Sequence, residues 1–144
     1  MGIMCALVVT AGLSVSPPPL PSPQVVTESL LFRASLSAFI TEAESMAHDA
    51  RLDWTTDGCS APVVGSTGRS FDFYAACWRH DFGYRNMSRI KNGRLWTEAL
   101  RLRIDERFRK DMRDSCTSKV RVTRLQCIAW AETYFHAVRN FGSP

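Results

Sequence analysis

The feature that most restricts the fold of this chain is a helical spacing of apolar side chains. The clearest example lies between about residues 96 and 114, where an apolar residue recurs at every fourth position: Trp96, Leu100, Ile104, Phe108 and Met112. Residues four apart lie on the same face of a helix, so this spacing predicts an amphipathic helix with one buried face. Such a stripe is more typical of a packed core than of a cofactor site.

Three other segments have a similar spacing. It predicts helices over about 75–89 and 123–139, and a further one over 29–50. Within this first helix, Thr41 and Glu44 have the spacing of a capping box that restarts the helix there. A loop rich in glycine and serine follows. We therefore predict an all-α fold, a small helical bundle.

The first 23 residues differ from the rest, because they contain no charged side chain and become proline-rich after an apolar run. The run is too short to cross a bilayer as a helix, but it suits the core of a secretory signal peptide. We therefore predict a leader over 1–23, one globular domain over 24–144, and a secreted protein. With 45% hydrophobic and 22% charged residues, the composition excludes a disordered chain.

The cysteine count agrees with secretion. Removal of the leader would take Cys5 away and leave an even set, Cys59, Cys77, Cys116 and Cys127. In a small exported domain such a set predicts two disulfides. Three pairings are open, and the local one closes two short loops, each contributing about 3 kcal/mol to stability. A zinc site is a poor alternative because no two cysteines form a CxxC pair.

The stretch CWRHDFGYRN, which begins at Cys77, concentrates reactive side chains on one predicted helix. Steps of three and four residues bring Cys77, His80, Asp81 and Tyr84 to one side of that helix. Gly83 weakens a helix interior by up to about 1 kcal/mol relative to alanine, which indicates close approach of another backbone or of a substrate. One helix face therefore holds the candidate chemistry.

Asp57, in the preceding loop, is the candidate partner of Asp81. A bond between Cys59 and Cys77 would bring both carboxylates to the same end of the disulfide, where they repel each other unless a cation lies between them. Calcium prefers such oxygen ligands, and the carbonyl of Gly58 is a natural third one. We therefore predict a calcium-binding loop.

Asp105 is the candidate partner of His80. It borders the apolar stripe of the predicted helix over 96–114, so it lies at a packing seam where an unpaired carboxylate is unfavourable. A hydrogen bond from one nitrogen of His80 would satisfy Asp105 and leave the other nitrogen free as a base. A purely structural pair is the equal alternative.

Together these residues resemble a known family. The CWRHDFGYRN block at 77–86, DWTTDGC at 53–59 and the downstream Ile104-Asp105 are similar to the secreted phospholipase A2 family of fungi and bacteria, over about residues 49–142. The resemblance implies a small all-helical fold with two disulfides. It also implies calcium-dependent release of a fatty acid from the sn-2 position of a phospholipid.

Carried over by position, the resemblance gives each residue a role. It implies that His80 is the general base, Asp105 its orienting partner, Asp57 and Asp81 the calcium carboxylates, and Gly58 the carbonyl ligand. We expect a monomer that acts on a phospholipid membrane surface, with calcium as its cofactor and no nucleic-acid partner.

Other classes remain as alternatives. A catalytically silent relative could bind membranes in a calcium-dependent way without hydrolysis. His48, His80, Asp81 and Asp105 also follow the order used by HD-type metal phosphohydrolases, but the small size and the cysteines argue against that class. A nucleic-acid binder is suggested only by the net charge of +4.

Overall fold

The computed structural model describes residues 18–59 and 71–143, and within them it contains five α-helices and no β-strand. The helices are α1 (Pro23–Phe32), α2 (Leu36–Ala43), α3 (Tyr74–Arg89), α4 (Glu98–Ser115) and α5 (Arg121–Phe141). The predicted all-α fold class is confirmed. None of the helices in the described ranges has the length and apolar character needed to cross a membrane.

The predicted leader over 1–23 lies mostly outside the described residues. Its last residue, Pro23, is the first residue of α1, and the Ser22 hydroxyl caps this helix by accepting a hydrogen bond from the Val25 backbone N–H at 3.3 Å. A serine cap followed by proline is a favourable helix start, because proline has no N–H to leave unsatisfied. The leader and its boundary stay predictions.

The predicted helix over 29–50 is wrong, and so is its predicted restart at Thr41. The chain breaks after α1, and α2 starts at a new cap, Ser35, whose hydroxyl accepts a backbone hydrogen bond from the first turn of α2. Thr41 lies inside α2 instead of capping a helix, and α2 ends at Ala43. Met46, which we expected on the buried stripe, is fully exposed. The apolar spacing continues from α1 into α2, although one helix ends before the cap at Ser35 and another starts there.

The other three predicted helices are confirmed as α3, α4 and α5, which form the centre of the molecule. Both α3 and α5 run antiparallel to α4 and pack on it, while α1 and α2 lie against α3. Arg79 of α3 and Asp111 of α4 form an ion pair across the first of these contacts, and both side chains are almost completely buried. Nε of Arg79 donates to Asp111 at 2.8 Å, and Nη1 donates to the Ala34 carbonyl at 3.0 Å.

Two apolar cores flank the middle of α3. The first lies between α3, α4 and α5 and includes Phe71, Phe73, Phe108, Met112, Ala131 and Tyr134. The second lies between α1, α2, α3 and α4 and includes Leu31, Phe39, Trp54, Phe82, Met87 and Ile104. Apolar burial on both sides fixes the rotation of α3 about its axis, and therefore the direction of its polar side chains.

Both disulfides have the local pairing. Cys59 bonds Cys77 with a Cα–Cα distance of 5.4 Å, and Cys116 bonds Cys127 with a Cα–Cα distance of 5.7 Å. The first joins the loop after α2 to α3, and the second joins the start of α5 to the end of α4. The prediction of two disulfides is confirmed.

Gly83 lies at a close helix crossing. A Cβ atom at this position would be 2.8 Å from Cδ2 of Leu31 on α1 and 3.0 Å from Cγ2 of Ile104 on α4. The predicted close approach exists, but the neighbours are side chains of two helices and neither a backbone nor a substrate. The absent side chain allows α1 and α4 to approach the same point of α3.

Candidate active site

His80 lies in the middle of α3, where its ring is held between two aromatic side chains. The ring centroids of Tyr84 and Phe108 lie 4.3 Å and 4.7 Å from that of His80. Only 8% of His80 is exposed, and the exposed part faces a cavity of about 490 Å³. Aromatic contacts on two sides restrict the ring, so its nitrogens have defined directions.

Asp105 on α4 contacts His80 directly. His80 Nε2 lies 2.8 Å from Asp105 Oδ1, and Asp105 is fully buried. Burial on its own raises the pKa of the Asp105 carboxyl, but the hydrogen bonds that it accepts, first from His80 and then from Arg139, outweigh burial and hold that pKa below its usual range. An ionised carboxylate only accepts hydrogen bonds, so Nε2 of His80 is the donor in this contact.

Tyr84, one turn after His80, also donates to Asp105. Its hydroxyl lies 2.7 Å from Asp105 Oδ1 and receives a hydrogen bond from Nε of Arg101 at 3.1 Å. Burial, followed by the hydrogen bond to Asp105, raises the pKa of the Tyr84 phenol well above its usual range. Tyr84 therefore stays protonated and remains a donor.

The loop before α3 lies beside Asp81. The Thr56 hydroxyl donates to Asp81 Oδ2 at 2.6 Å, and the Asp57 backbone N–H donates to the same oxygen at 3.1 Å. Burial is the largest cause that raises the pKa of Asp81, to about 6, and repulsion by Asp57 raises it further against the hydrogen bond from Thr56. The Asp81 carboxylate is thus desolvated and repelled, a state that a nearby cation relieves.

The residues present fit a calcium ion. Two carboxylates and a carbonyl are the oxygen ligands that calcium prefers, and Gly58 has φ +72°, the left-handed conformation that glycine adopts readily. No group of three or more His, Cys, Asp or Glu side chains suited to a metal occurs within residues 18–59 and 71–143. The predicted site needs only two such side chains, Asp57 and Asp81. Nη2 of Arg85 lies 3.9 Å from Oδ2 of Asp57 and places a positive charge beside it.

The structure brings the five predicted site residues together at one cavity. Four of them, His80, Asp81, Asp57 and Gly58, line the cavity together with Tyr84, whereas the fifth, Asp105, lies behind His80. The polar part of the lining, here called the polar wall, includes Asp57, Gly58 and Asp81. The apolar part, here called the apolar wall, comes mostly from the last turns of α5 and consists of Phe108, Tyr134, Ala137, Val138 and Phe141. His80 therefore stands at the boundary between a polar wall and an apolar wall.

Sequence reasoning missed two features of this site. Tyr84 was placed on the correct face but received no role, although its position four residues after His80 puts it next to that ring. Arg139, on the last turn of α5, donates to Asp105 Oδ2 from Nη1 at 2.7 Å. No local signal links two residues that are 34 positions apart.

His48 does not join this site. Its ring contacts that of Trp54 in a tilted arrangement with a centroid distance of 4.9 Å, and it lines a separate groove beside Asp53 and Arg89. The four residues whose order resembles HD-type phosphohydrolases therefore do not meet at one site, because His48 lies apart from the other three.

The fold defines a small all-α domain with two disulfides and a cavity beside His80. Residues 27–142 match the sequence profile of a family described as prokaryotic phospholipase A2. A secretory phospholipase A2 of Arthroderma benhamiae is 32% identical over 120 residues, covering 81% of this chain and 77% of the relative. A secretory phospholipase A2 of Beauveria bassiana is 39% identical over 118 residues, covering 81% of this chain and 57% of the relative.

The family match covers most of the chain and includes all of α2, α3, α4 and α5. The chain belongs to the prokaryotic phospholipase A2 family, and the resemblance seen in the sequence is confirmed. As a member of that family the protein is an enzyme, a carboxylic ester hydrolase.

Proposed function

We propose that this chain is a secreted, calcium-dependent phospholipase A2 with its catalytic domain over 24–144. It hydrolyses the sn-2 ester of a glycerophospholipid to a free fatty acid and a lysophospholipid. The observation that carries the proposal is the His80–Asp105 pair, with 2.8 Å between Nε2 and Oδ1, at the boundary of the polar and apolar walls. Family membership and the relatives named secretory phospholipase A2 support the reaction.

His80 acts as the general base on water. Nδ1 takes a proton from a water molecule, and the oxygen of that water attacks the sn-2 carbonyl carbon. The Asp105 carboxylate stabilises the imidazolium that forms. The proton then passes to the departing glycerol oxygen as the C–O bond breaks, and no covalent acyl-enzyme is needed. A positioned base of this kind contributes about 10² to 10⁴ in rate.

The polar wall would bind the head-group side of the substrate. Asp57, Asp81 and the Gly58 carbonyl would hold the calcium ion, which when bound supplies positive charge to the substrate phosphate and the developing oxyanion. A site with so few protein ligands is weak, which suits the high calcium concentration outside cells.

The apolar wall would receive the acyl chain, and a phospholipid membrane surface would be the source of the substrate. Export fits the two disulfides, because such bonds persist in oxidising surroundings, and it fits the relatives named secretory. We propose a monomer, with the leader over 1–23 removed.

The test is fatty acid release from phospholipid vesicles labelled at the sn-2 acyl chain. The full chain is assayed with calcium, with a chelator, and as His80→Ala in calcium. His136→Ala is the matched control, because His136 is exposed on α5 and does not line the cavity. We expect labelled fatty acid only with calcium, a loss of at least about 10²-fold in His80→Ala, and normal release by His136→Ala.

A different outcome would identify the silent relative instead. In that case the protein would bind vesicles without releasing fatty acid. Binding would require calcium, Asp57 and Asp81 but would be unchanged in His80→Ala. This result would contradict the catalytic proposal. In a parallel assay with vesicles labelled at the sn-1 acyl chain, release of that chain alone would contradict the sn-2 assignment but not the role of His80 as base.

A further inference from the structure

Asp105 binds different partners with its two carboxylate oxygens. Oδ1 accepts hydrogen bonds from His80 at 2.8 Å and from Tyr84 at 2.7 Å. Oδ2 accepts one from Nη1 of Arg139 at 2.7 Å. Among the described residues, Arg139 is the only arginine or lysine whose side chain contacts this fully buried carboxylate.

A buried carboxylate without a cation tends to take up a proton, because removal from water disfavours its charged form. A protonated Asp105 could donate a hydrogen bond to His80, and Nε2 would then no longer need to carry the proton. The ring nitrogen that faces the substrate would lose its fixed identity as an acceptor. The chemistry of His80 therefore depends on a charge that Asp105 must retain.

We propose that Arg139 is a positioning residue of the active site: it keeps Asp105 charged and turned toward His80, and so fixes the proton of His80 on Nε2. The inference rests on the proposed role of His80 as base. Arg139 does not line the cavity, so it acts through Asp105 and not on the substrate.

Arg139 is itself held in place at two points. Its Nη2 pairs with Glu98 at the start of α4, so one guanidinium bridges two carboxylates. Nη2 of Arg101 donates to the backbone carbonyls of Val138 and Arg139 at 2.9 Å and 2.8 Å. Nε of Arg101 also donates to the hydroxyl of Tyr84. The Arg101 side chain therefore links the end of α5 to Tyr84, which itself donates to Asp105.

An arginine suits this position better than a lysine. The planar guanidinium offers several N–H donors in fixed directions, so it can bind Asp105 and Glu98 at the same time. A lysine would keep the charge but only one of the two contacts in good geometry. Arg139→Lys should therefore retain part of the activity. This variant shows how much of the effect comes from the charge of the side chain and how much from its shape.

The kinetic test is the comparison of Arg139→Met, Arg139→Gln and Arg139→Lys with the wild type. We expect kcat to fall about 10- to 100-fold in the first two, with KM within about twofold, because the substrate does not contact Arg139. Arg139→Lys should keep a higher kcat: its loss of log kcat should be smaller than that of Arg139→Met by at least about a third. Arg113→Met is the matched control, since it removes another α4–α5 ion pair, to Glu132, and should keep wild-type kcat.

A double-mutant cycle separates positioning from simple stabilisation. In an Asp105→Asn background there is no carboxylate charge to retain, so adding Arg139→Met should change kcat less than about twofold. Equal losses of kcat in the two backgrounds, or an unchanged kcat in Arg139→Met, would overturn the proposal. Because Arg139→Gln keeps a hydrogen-bond donor, it serves if Arg139→Met fails to fold.

A measurement without substrate separates this inference from the proposed function. The ¹⁵N NMR shifts of the His80 ring report which nitrogen carries the proton, and they are recorded from about pH 9 down to about pH 7, where ordinary histidines are mostly neutral. We expect Nε2–H alone over this range in the wild type, and in Arg139→Gln a growing share of the other tautomer as the pH falls and Asp105 takes up a proton. If the wild type releases no fatty acid, these shifts still decide the role of Arg139, and identical spectra would reject it.

Discussion

Asn86 pairs with both backbone groups of Asp53. Its Oδ1 accepts the Asp53 N–H at 2.8 Å, and its Nδ2 donates to the Asp53 carbonyl at 2.8 Å and to the Phe82 carbonyl at 2.9 Å. Nearby, Nε1 of Trp78 donates to the Trp54 carbonyl at 2.7 Å. Side chains of α3 therefore fix the loop that leads to the candidate calcium residues.

The first prediction concerns this amide. Asn86→Leu should lower the free energy of unfolding by about 2–4 kcal/mol, because it leaves the part-buried N–H and carbonyl of Asp53 without partners. It should also weaken calcium binding, since the loop loses its register on α3. Urea denaturation and calorimetric calcium titration measure the two effects. An unchanged calcium affinity would show that the disulfide at Cys59 alone positions the loop.

A second prediction concerns calcium and stability. A ligand that binds only the folded state raises its stability by RT ln(1 + [L]/Kd), which is about 2.7 kcal/mol at 100 times Kd. Calcium should therefore raise the thermal midpoint of the wild type and not that of Asp57→Asn or Asp81→Asn. Asp72→Asn is the control, because Asp72 is exposed and does not line the cavity. An equal calcium response in all four proteins would place the ion elsewhere.

A third prediction is a loss of stability at acid pH through Asp105. Its pKa is lowered in the folded protein, so the unfolded chain binds the proton more readily. The stabilising contribution is complete above the unfolded pKa of about 3.9 and is lost as pH falls through the lower folded pKa. Urea midpoints between about pH 6 and pH 2 should fall more steeply for the wild type than for Asp105→Asn. Parallel curves would contradict the shift.

A fourth prediction tests the close crossing at Gly83. Gly83→Ala gains about 1 kcal/mol of helix propensity, but its Cβ would meet Leu31 at 2.8 Å and Ile104 at 3.0 Å. Overpacking of this kind typically destabilises by about 1–3 kcal/mol, so we expect a net loss. Leu31→Val removes one of the two contacts, and Gly83→Ala should be less harmful in that background. A stabilising Gly83→Ala would show that the helices can separate freely.

A fifth prediction compares a buried ion pair with an exposed one. Arg79→Met leaves Asp111 charged and without its main partner, which should cost about 3–5 kcal/mol of stability. Lys110→Met removes an exposed pair with Asp114 on the same helix, and its effect should stay within about 1 kcal/mol. Denaturant melts of the two variants give the comparison, and equal losses would mean that burial does not decide the outcome.

The sequence predicted the helices that have both a clear apolar stripe and polar ends. It failed over 29–50, where the stripe continues although the chain turns at Ser35. Apolar spacing reports which residues are buried, and it does not report whether one helix or two bury them. Only the local cap at Ser35 carried that information, and Thr41 offered a competing one.

The candidate site was predictable where neighbours in the sequence share a helix face or a disulfide. His80, Asp81 and Tyr84 follow from helical steps, and Asp57 follows from the bond between Cys59 and Cys77. The contact of Arg139 with Asp105 depends on the packing of α5 against α4, and no rule of sequence spacing gives the register between two helices. Long-range ion pairs of this kind require coordinates.

The last turn of α5 carries two features that are otherwise unrelated. Val138 and Phe141 belong to the apolar wall of the cavity, and Arg139 between them contacts Asp105. A helix terminus is the part of a helix that frays most readily. Fraying of this turn would therefore remove two things in one step: part of the apolar wall of the cavity and the arginine that contacts the Asp105 carboxylate.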